Sequence, residues 1–323
     1  MRRTFKLTHF IALIAFVAVI AGHPAESKPT MFTEGNFFVG AEPYPMYVES
    51  FLPEKPTHKL PIILIHGGVH TGAGYISTPD GREGWAIYLV RHGWKVYVVD
   101  WPGHGRSPMP QEFSTMSLNR VVDDAAALMG KIGPAVVLVH SLSGTIGWKL
   151  CESVPDRVAA LVAIAPAPPA NIAGGYATEL LTRFSGHLSG HYFPEDKPIW
   201  YTREAAQETF ANASLFPAGV FDAYYASLAP ESPRALNELF NKDGMGLFVD
   251  PKKFAKVPKV VINGDQDPRH SRAVDEKTAQ FVGAEHVYLA DIGMPGHGHM
   301  MMLDKNNDKI AQWIIDWLVR KGL

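Results

Sequence analysis

Residues 135–144 read Ala-Val-Val-Leu-Val-His-Ser-Leu-Ser-Gly, an apolar run that stops abruptly at His140-Ser141. The run shows no polar alternation, which suits a parallel strand covered on both faces. The stretch that follows, Gly144–Ser153, has the pattern of a helix. A serine between such a strand and such a helix sits on a sharp turn that holds its hydroxyl outward, with small neighbours permitting the tight approach. In the usual G-x-S-x-G pattern, glycines flank the serine; here Val139 and Ser143 stand in those places. The assignment of Ser141 as a nucleophile therefore rests on strand-turn-helix context. The plain alternative is a helix N-cap, with Ser141 or Ser143 accepting from free backbone N–H groups. Ser143, one step into the helix, is the second candidate nucleophile.

Outward from this stretch the same kind of run recurs. Pro61–Ile65 ends in His66-Gly67-Gly68, Lys95–Val99 in Asp100, Val158–Ile164 in Ala165-Pro166, and Lys259–Ile262 in Asn263-Gly264-Asp265. Between and after them lie amphipathic stretches at Glu83–His92, Ser117–Lys131, Ser271–Val282 and Lys305–Arg320. Alternation of this kind predicts an α/β domain, a mostly parallel sheet flanked by helices, with its site at the carboxyl ends of the strands. Two extended runs nearer the N-terminus, Asn36–Gly40 and Met46–Leu52, suit a hairpin, and about Glu26 through Glu34 reads as a mobile lead-in. Roughly residues 168–257 are too long for an ordinary loop between two core strands. They carry helical patterns near Thr202–Asn212, Pro217–Leu228 and Ser232–Asn241, and read as a helical cap inserted over the strand ends within one domain spanning 35–323.

Composition narrows the function classes. The chain has 323 residues, 46% hydrophobic and 19% charged, with a formal net charge of −2. A sizeable core is feasible, and nothing in the charge balance points to nucleic acid. Arg2, Arg3 and Lys6 precede an apolar run from Phe10 to Ala21 and then small residues, the order of a secretory signal over 1–25. The run is shorter than the roughly 20 apolar residues that span a bilayer, so a stable membrane anchor is not expected. Cys151 is the single cysteine, so no intramolecular disulfide can form, and its apolar surroundings suggest a buried, inert thiol.

The residues that could work with Ser141 cluster at the strand ends. Glycines at His66-Gly67-Gly68-Val69 let backbone N–H groups approach a ligand closely. With a strand-end nucleophile, this assigns an oxyanion hole to the backbone N–H groups of Gly68 (with Val69 beside it) and Leu142. His66 reads as a structural hydrogen-bonder beneath the loop. In Gly296-His297-Gly298-His299-Met300, His299 is placed to take the serine proton. His297 beside it, and the His187/His191 pair in the cap, raise the thought of a metal, but two ligands make poor evidence without a third. For the acid that orients His299, Asp267 in Gly264-Asp265-Gln266-Asp267 comes first, Asp265 second and Asp291 third. Turn formation ahead of Pro268 is the plain alternative for the first two.

Taken together, His66-Gly67-Gly68, the run Asp100-Trp101-Pro102-Gly103-His104-Gly105-Arg106-Ser107, the His-Ser-Leu-Ser-Gly elbow and the late His299 resemble the α/β-hydrolase superfamily. The likeness covers nearly the whole chain after residue 60, the cap excepted. It implies the α/β-hydrolase fold, and it implies that Asp100 and His104 are structural. Thr78–Trp85 and His299–Asn307 look closer to a branch containing secreted bacterial esterases. That resemblance implies that the acid can be a glutamate just after the sixth strand, in a Glu-Pro context; Ala165-Pro166 stands there instead, which directs attention to Asp267.

A serine at the nucleophile position separates the chain from dehalogenase and epoxide hydrolase relatives of that fold, which use aspartate there. The expected chemistry is acyl transfer through an acyl-enzyme, with a small-molecule carboxylic ester as substrate and no metal or organic cofactor required. Lactone, amide and carbon–carbon bond cleavage by the same residues are alternatives, as is a catalytically silent ligand-binding protein on the same fold. The cap is rich in aromatics, among them Tyr176, Phe184, Tyr192, Trp200, Tyr201, Phe210, Tyr224 and Tyr225, most of which are expected to form its own core.

Overall fold

The computed structural model describes residues 31–173, 193–269 and 271–323. The expected export signal, the pair His187/His191 and the cap aromatics Tyr176, Phe184 and Tyr192 lie outside these residues.

The described residues form an eight-stranded sheet: β1 (Phe32–Val39), β2 (Met46–Pro53), β3 (Ile62–Ile65), β4 (Val96–Asp100), β5 (Ala135–His140), β6 (Val158–Ile164), β7 (Lys259–Asn263) and β8 (Glu285–Tyr288). Their spatial order is β1-β2-β4-β3-β5-β6-β7-β8. The β1–β2 and β2–β4 pairs are antiparallel and the rest parallel. The helices are α1 (Ala73–Ile76), α2 (Trp85–Arg91), α3 (Leu118–Ile132), α4 (Ser143–Ser153), α5 (Arg203–Phe210), α6 (Phe221–Ala226), α7 (Pro233–Leu239), α8 (Arg272–Val282) and α9 (Asn307–Arg320). The expected α/β architecture is present, with α5–α7 between β6 and β7. The lead-in is shorter than the sequence suggests, because Phe32–Glu34 already pair with Phe51–Pro53 in β1.

Alternate residues of each central strand feed opposite faces, which is why the runs are apolar throughout. Ile63, Ile65, Val137, Val139, Leu161 and Ala163 pack with Leu118, Val121, Leu128 and Ile146 of α3 and α4. Ile62, Leu64, Val136, Leu138, Ala160 and Val162 pack with Trp85, Leu89, Ile310 and Ile314 of α2 and α9. Burying one such side chain contributes roughly 1.5–3 kcal/mol, so a two-faced core of this size fixes the strand ends firmly. Four of the helices start at a side-chain cap: Ser117 accepts from Asn119 N–H, Thr202 from Ala205 N–H, Ser232 from Ala235 N–H and Ser271 from Val274 N–H. No helix among the described residues is long and apolar enough to cross a membrane.

Candidate active site

The carboxyl ends of β3, β5 and β7 and the loop before α9 converge on one chamber. Ser141 follows β5 with φ 54°, a left-handed conformation unusual for a residue with a side chain. It is held there by its own N–H donating to Ile164 O at 3.0 Å and by Gly144 and Ala167 N–H groups donating to its carbonyl, each at 2.8 Å. The turn does not need glycine at the usual flanking positions because smallness is supplied further along. A Cβ on Gly144 would lie 2.6 Å from Pro166 Cβ, and one on Gly147 would lie 3.0 Å from both Val139 methyls. Ser143 is fully buried; its hydroxyl accepts from His140 N–H at 2.8 Å and faces the carbonyls of His140 and Ile65 at 2.8 and 3.1 Å. Its side chain thus fastens the elbow to β3.

Ser141 Oγ lies 2.8 Å from His299 Nε2, and His299 Nδ1 lies 2.7 Å from Asp267 Oδ2. An ionised carboxylate only accepts, so Nδ1 carries the ring proton and Nε2 offers its lone pair to the serine hydroxyl. All three residues are buried; Ser141 is the most accessible at 8%. The other Asp267 oxygen accepts from Arg269 N–H at 2.8 Å, which fixes the carboxylate plane. The rival acids go elsewhere. Asp265 Oδ1 accepts from Gly296 and His297 N–H at 2.8 and 3.3 Å and so shapes the histidine loop. Asp291 pairs with Arg272 at the surface, at 2.6 Å.

The glycine loop after β3 abuts the elbow. A Cβ on Gly67 would lie 2.9 Å from Ser141 Cβ, and one on Gly68 would lie 2.9 Å from Leu142 Cδ1, so only glycines allow this approach. The N–H groups of Gly68 and Leu142 donate to no acceptor among the described residues. Val69 N–H, by contrast, donates to the buried carboxylate of Glu231 at 2.9 Å. His66 stacks on Trp101, with Nδ1 2.8 Å from Gly67 O and Nε2 accepting from Trp101 N–H at 3.3 Å. Burial holds its pKa well below the ordinary histidine value, so it serves as a neutral structural ring. Asp100 accepts from Gly72 N–H, Arg106 N–H and Arg106 Nε, which ties the β4 loop to the β3 loop.

His297 meets Asp304 at 3.2 Å, away from a metal-like arrangement; among the described residues no group of three potential ligands could hold an ion. Cys151 is buried and its thiol pushed up to about 12 by desolvation. Several neighbours of the site lie in stretches that the sequence marks without assigning them a role. His140 Nε2 donates to His299 O at 3.0 Å and, like His66, is kept neutral by burial. Asp304 accepts from Gly298 N–H at 3.0 Å, and Arg82 donates to the carbonyls of Leu303 and Asp304, so the Thr78–Trp85 stretch braces the histidine loop. A chamber of about 20 Å³ at Ser141 is walled by Tyr201, Phe210, Leu236 and Leu239 of the cap, with Glu231 and Arg269. A second cavity of about 170 Å³ lies along Gly67, His70, His140, Tyr224, Met300 and Met302.

This constellation sits on a fold that recurs in known proteins. The model of the alpha/beta hydrolase family matches residues 62–313. The chain belongs to that family. A probable secreted lipase, phiG, from a fungal species (strain ATCC 74256) is 28% identical over 361 residues, covering 92% of this chain and 91% of that protein. Among solved structures, a novel bacterial esterase superposes with a TM-score of 0.58 at 19% identity, covering 93% of this chain and 99% of its own. A 2-hydroxy-6-oxo-6-phenylhexa-2,4-dienoate hydrolase from Rhodococcus sp. strain RHA1 superposes with a TM-score of 0.60 at 17% identity, covering 89% and 98%. At these identities the two structures speak to the α/β-hydrolase fold alone.

Proposed function

We propose that this family member is an exported serine esterase acting on a small carboxylic ester. The observation that carries this reading is the buried hydrogen-bond chain from Ser141 through His299 to Asp267. Ser141 Oγ attacks the ester carbonyl carbon while its proton passes to His299 Nε2. The carbonyl oxygen, now negative, accepts from the N–H groups of Gly68 and Leu142. Collapse of the adduct expels the alcohol, which takes its proton from His299. Water then attacks the acyl-enzyme, giving up a proton to the same nitrogen, and the carboxylic acid leaves with Ser141 restored. Asp267 holds the imidazole in the required tautomer and steadies the imidazolium formed in each half-reaction. Every step uses groups of this chain and water.

The size of the chamber bears on the substrate. The space of about 20 Å³ beside Ser141, as the described residues leave it, favours a short acyl group over a bulky one. Export is supported by the basic-then-apolar order of residues 2–21 and by the description of phiG as secreted. Turnover of p-nitrophenyl acetate, butyrate and octanoate by the mature protein tests the reading. Hydrolysis is expected to favour the acetate and to fall at least 10³-fold in Ser141→Ala and His299→Ala, in the range seen when members of such a triad are removed. Turnover in Ser141→Ala within tenfold of the parent protein would remove Ser141 from the mechanism.

A further inference from the structure

The loop after β3 holds a conformation that valine does not adopt freely. Val69 has φ 57°, and a β-branched residue in the left-handed region is a backbone outlier. Where lipase and esterase loops of this kind read H-G-G-G, a glycine takes such a conformation without cost. This chain reads His66-Gly67-Gly68-Val69 and supplies the missing constraint from the cap.

Three contacts from residues 224–231 converge on the loop. Ala229 N–H donates to Val69 O at 2.8 Å, and Val69 N–H donates to Glu231 Oε2 at 2.9 Å, so the cap grips both sides of this one residue. The third contact runs through His70, whose Nδ1 is 2.7 Å from Gly68 O and whose Nε2 is 2.8 Å from Tyr224 Oη. A carbonyl only accepts, so Nδ1 bears the proton; burial keeps the ring neutral, and Nε2 accepts from the tyrosine.

Glu231 is itself held on every side. Its backbone N–H and C=O both pair with Ile199, at 2.8 and 2.9 Å, and its Oε1 accepts from Ser232 N–H at 2.9 Å. The side chain is fully buried, with His104 Nε2 3.5 Å from Oε2. A Cβ on Gly68 would lie 2.9 Å from that same oxygen, so the carboxylate rests directly against the residue whose N–H faces Ser141 in the proposed mechanism. Burying a carboxylate here is costly unless its oxygens are matched by donors, and the donor on Oε2 is Val69 N–H.

We propose that Glu231 is a positioning residue that holds Val69 in the left-handed conformation and so keeps Gly68 N–H aimed at the oxyanion. Docking of the cap and assembly of the oxyanion hole are then one event. This rests on the assignment of Gly68 and Leu142 as the oxyanion donors.

The test compares the parent protein with Glu231→Gln, Glu231→Ala, and each of these combined with Val69→Gly. Turnover of p-nitrophenyl acetate, affinity for phenylboronic acid as a tetrahedral mimic, thermal midpoint and fluorophosphonate labelling are measured for each. Glutamine has one carbonyl oxygen for two N–H donors, so Glu231→Gln should lower kcat at least fivefold. Glu231→Ala should lower it about 10- to 10²-fold, less than the roughly 10²–10³-fold that follows outright loss of an oxyanion donor. In both, KM should stay within threefold and boronate affinity should fall with kcat. Val69→Gly, which reaches φ 57° unaided, should restore at least a third of the lost kcat in either background. If Glu231→Ala does not fold, the two glutamine-based proteins give the same comparison. Loss of kcat that Val69→Gly leaves unrepaired, or kcat in Glu231→Gln within twofold of the parent, would overturn the proposal while Ser141 still labels. Absence of label on Ser141 in the parent protein would instead overturn the serine-hydrolase reading, and this proposal with it.

Discussion

Two regions meet at the loop formed by residues 66–70, and they hold it by different means. From the sheet side, Ser141 and Asp267 are carried by strands whose apolar residues are buried on both faces, and their positions follow from backbone geometry at the strand ends. From the cap side, Tyr224, Ala229 and Glu231 reach the loop through single hydrogen bonds from short helices and a connecting segment. The sheet side is a rigid scaffold on which chemistry can be mounted. The cap is a set of individual contacts, each of which one substitution can remove. Catalytic power should therefore be lost most completely at sheet positions, while cap positions should tune it.

The largest expected effect on the sheet side, after loss of the nucleophile or base, belongs to the acid. Asp267→Asn keeps the shape but removes the carboxylate that fixes the His299 tautomer, and should lower kcat by about 10²–10⁴-fold. Asp291→Asn, which breaks only the surface pair with Arg272, should leave kcat within twofold. Steady-state turnover of the two variants side by side checks this, and equal effects would break the contrast.

A smaller effect concerns both regions at once. Burial depresses His66, His140 and His70, the last to about 4, so these rings fold neutral while the unfolded chain titrates near the ordinary 6.5. Below about pH 6.5 the unfolded state binds protons that the folded state does not, so stability must fall as the pH drops from 6.5 toward 4. Urea midpoints measured between pH 4 and 8 should decline on the acid side. His70→Gln should flatten part of that decline, because this ring sits between Gly68 and the cap tyrosine. A midpoint independent of pH over this range would contradict the neutral, buried rings.

The contrast also explains what could be read in the sequence. The five apolar runs announce β3 to β7 because burial on both faces demands uninterrupted apolar residues. Ser141 and His299 are legible because each follows or precedes a regular element in a glycine-rich turn. Asp267 is legible as a carboxylate at a strand end, although Asp265, two residues away, carries the same local signal and differs only in the backbone N–H groups it meets. β8 escapes because Glu285–Tyr288 is short, half-exposed and without an apolar run. The start of β1 escapes because most of its residues are exposed at the sheet edge. Glu231 leaves no mark at all. Its role arises only when the segment after α6 folds back onto Val69, 162 residues earlier in the chain. The left-handed conformation that makes it necessary is invisible in His-Gly-Gly-Val.

The most direct measurement is fluorophosphonate labelling of the mature protein, followed by peptide mapping, beside Ser141→Ala, Ser143→Ala and His299→Ala. Stoichiometric label on Ser141, retained in Ser143→Ala if that protein folds and lost in the other two, is the predicted result, since Ser141 is the serine whose hydroxyl meets the His299 imidazole, at 2.8 Å. Label on Ser143, or no label on any serine, would contradict the central claim that Ser141 is the nucleophile of this site.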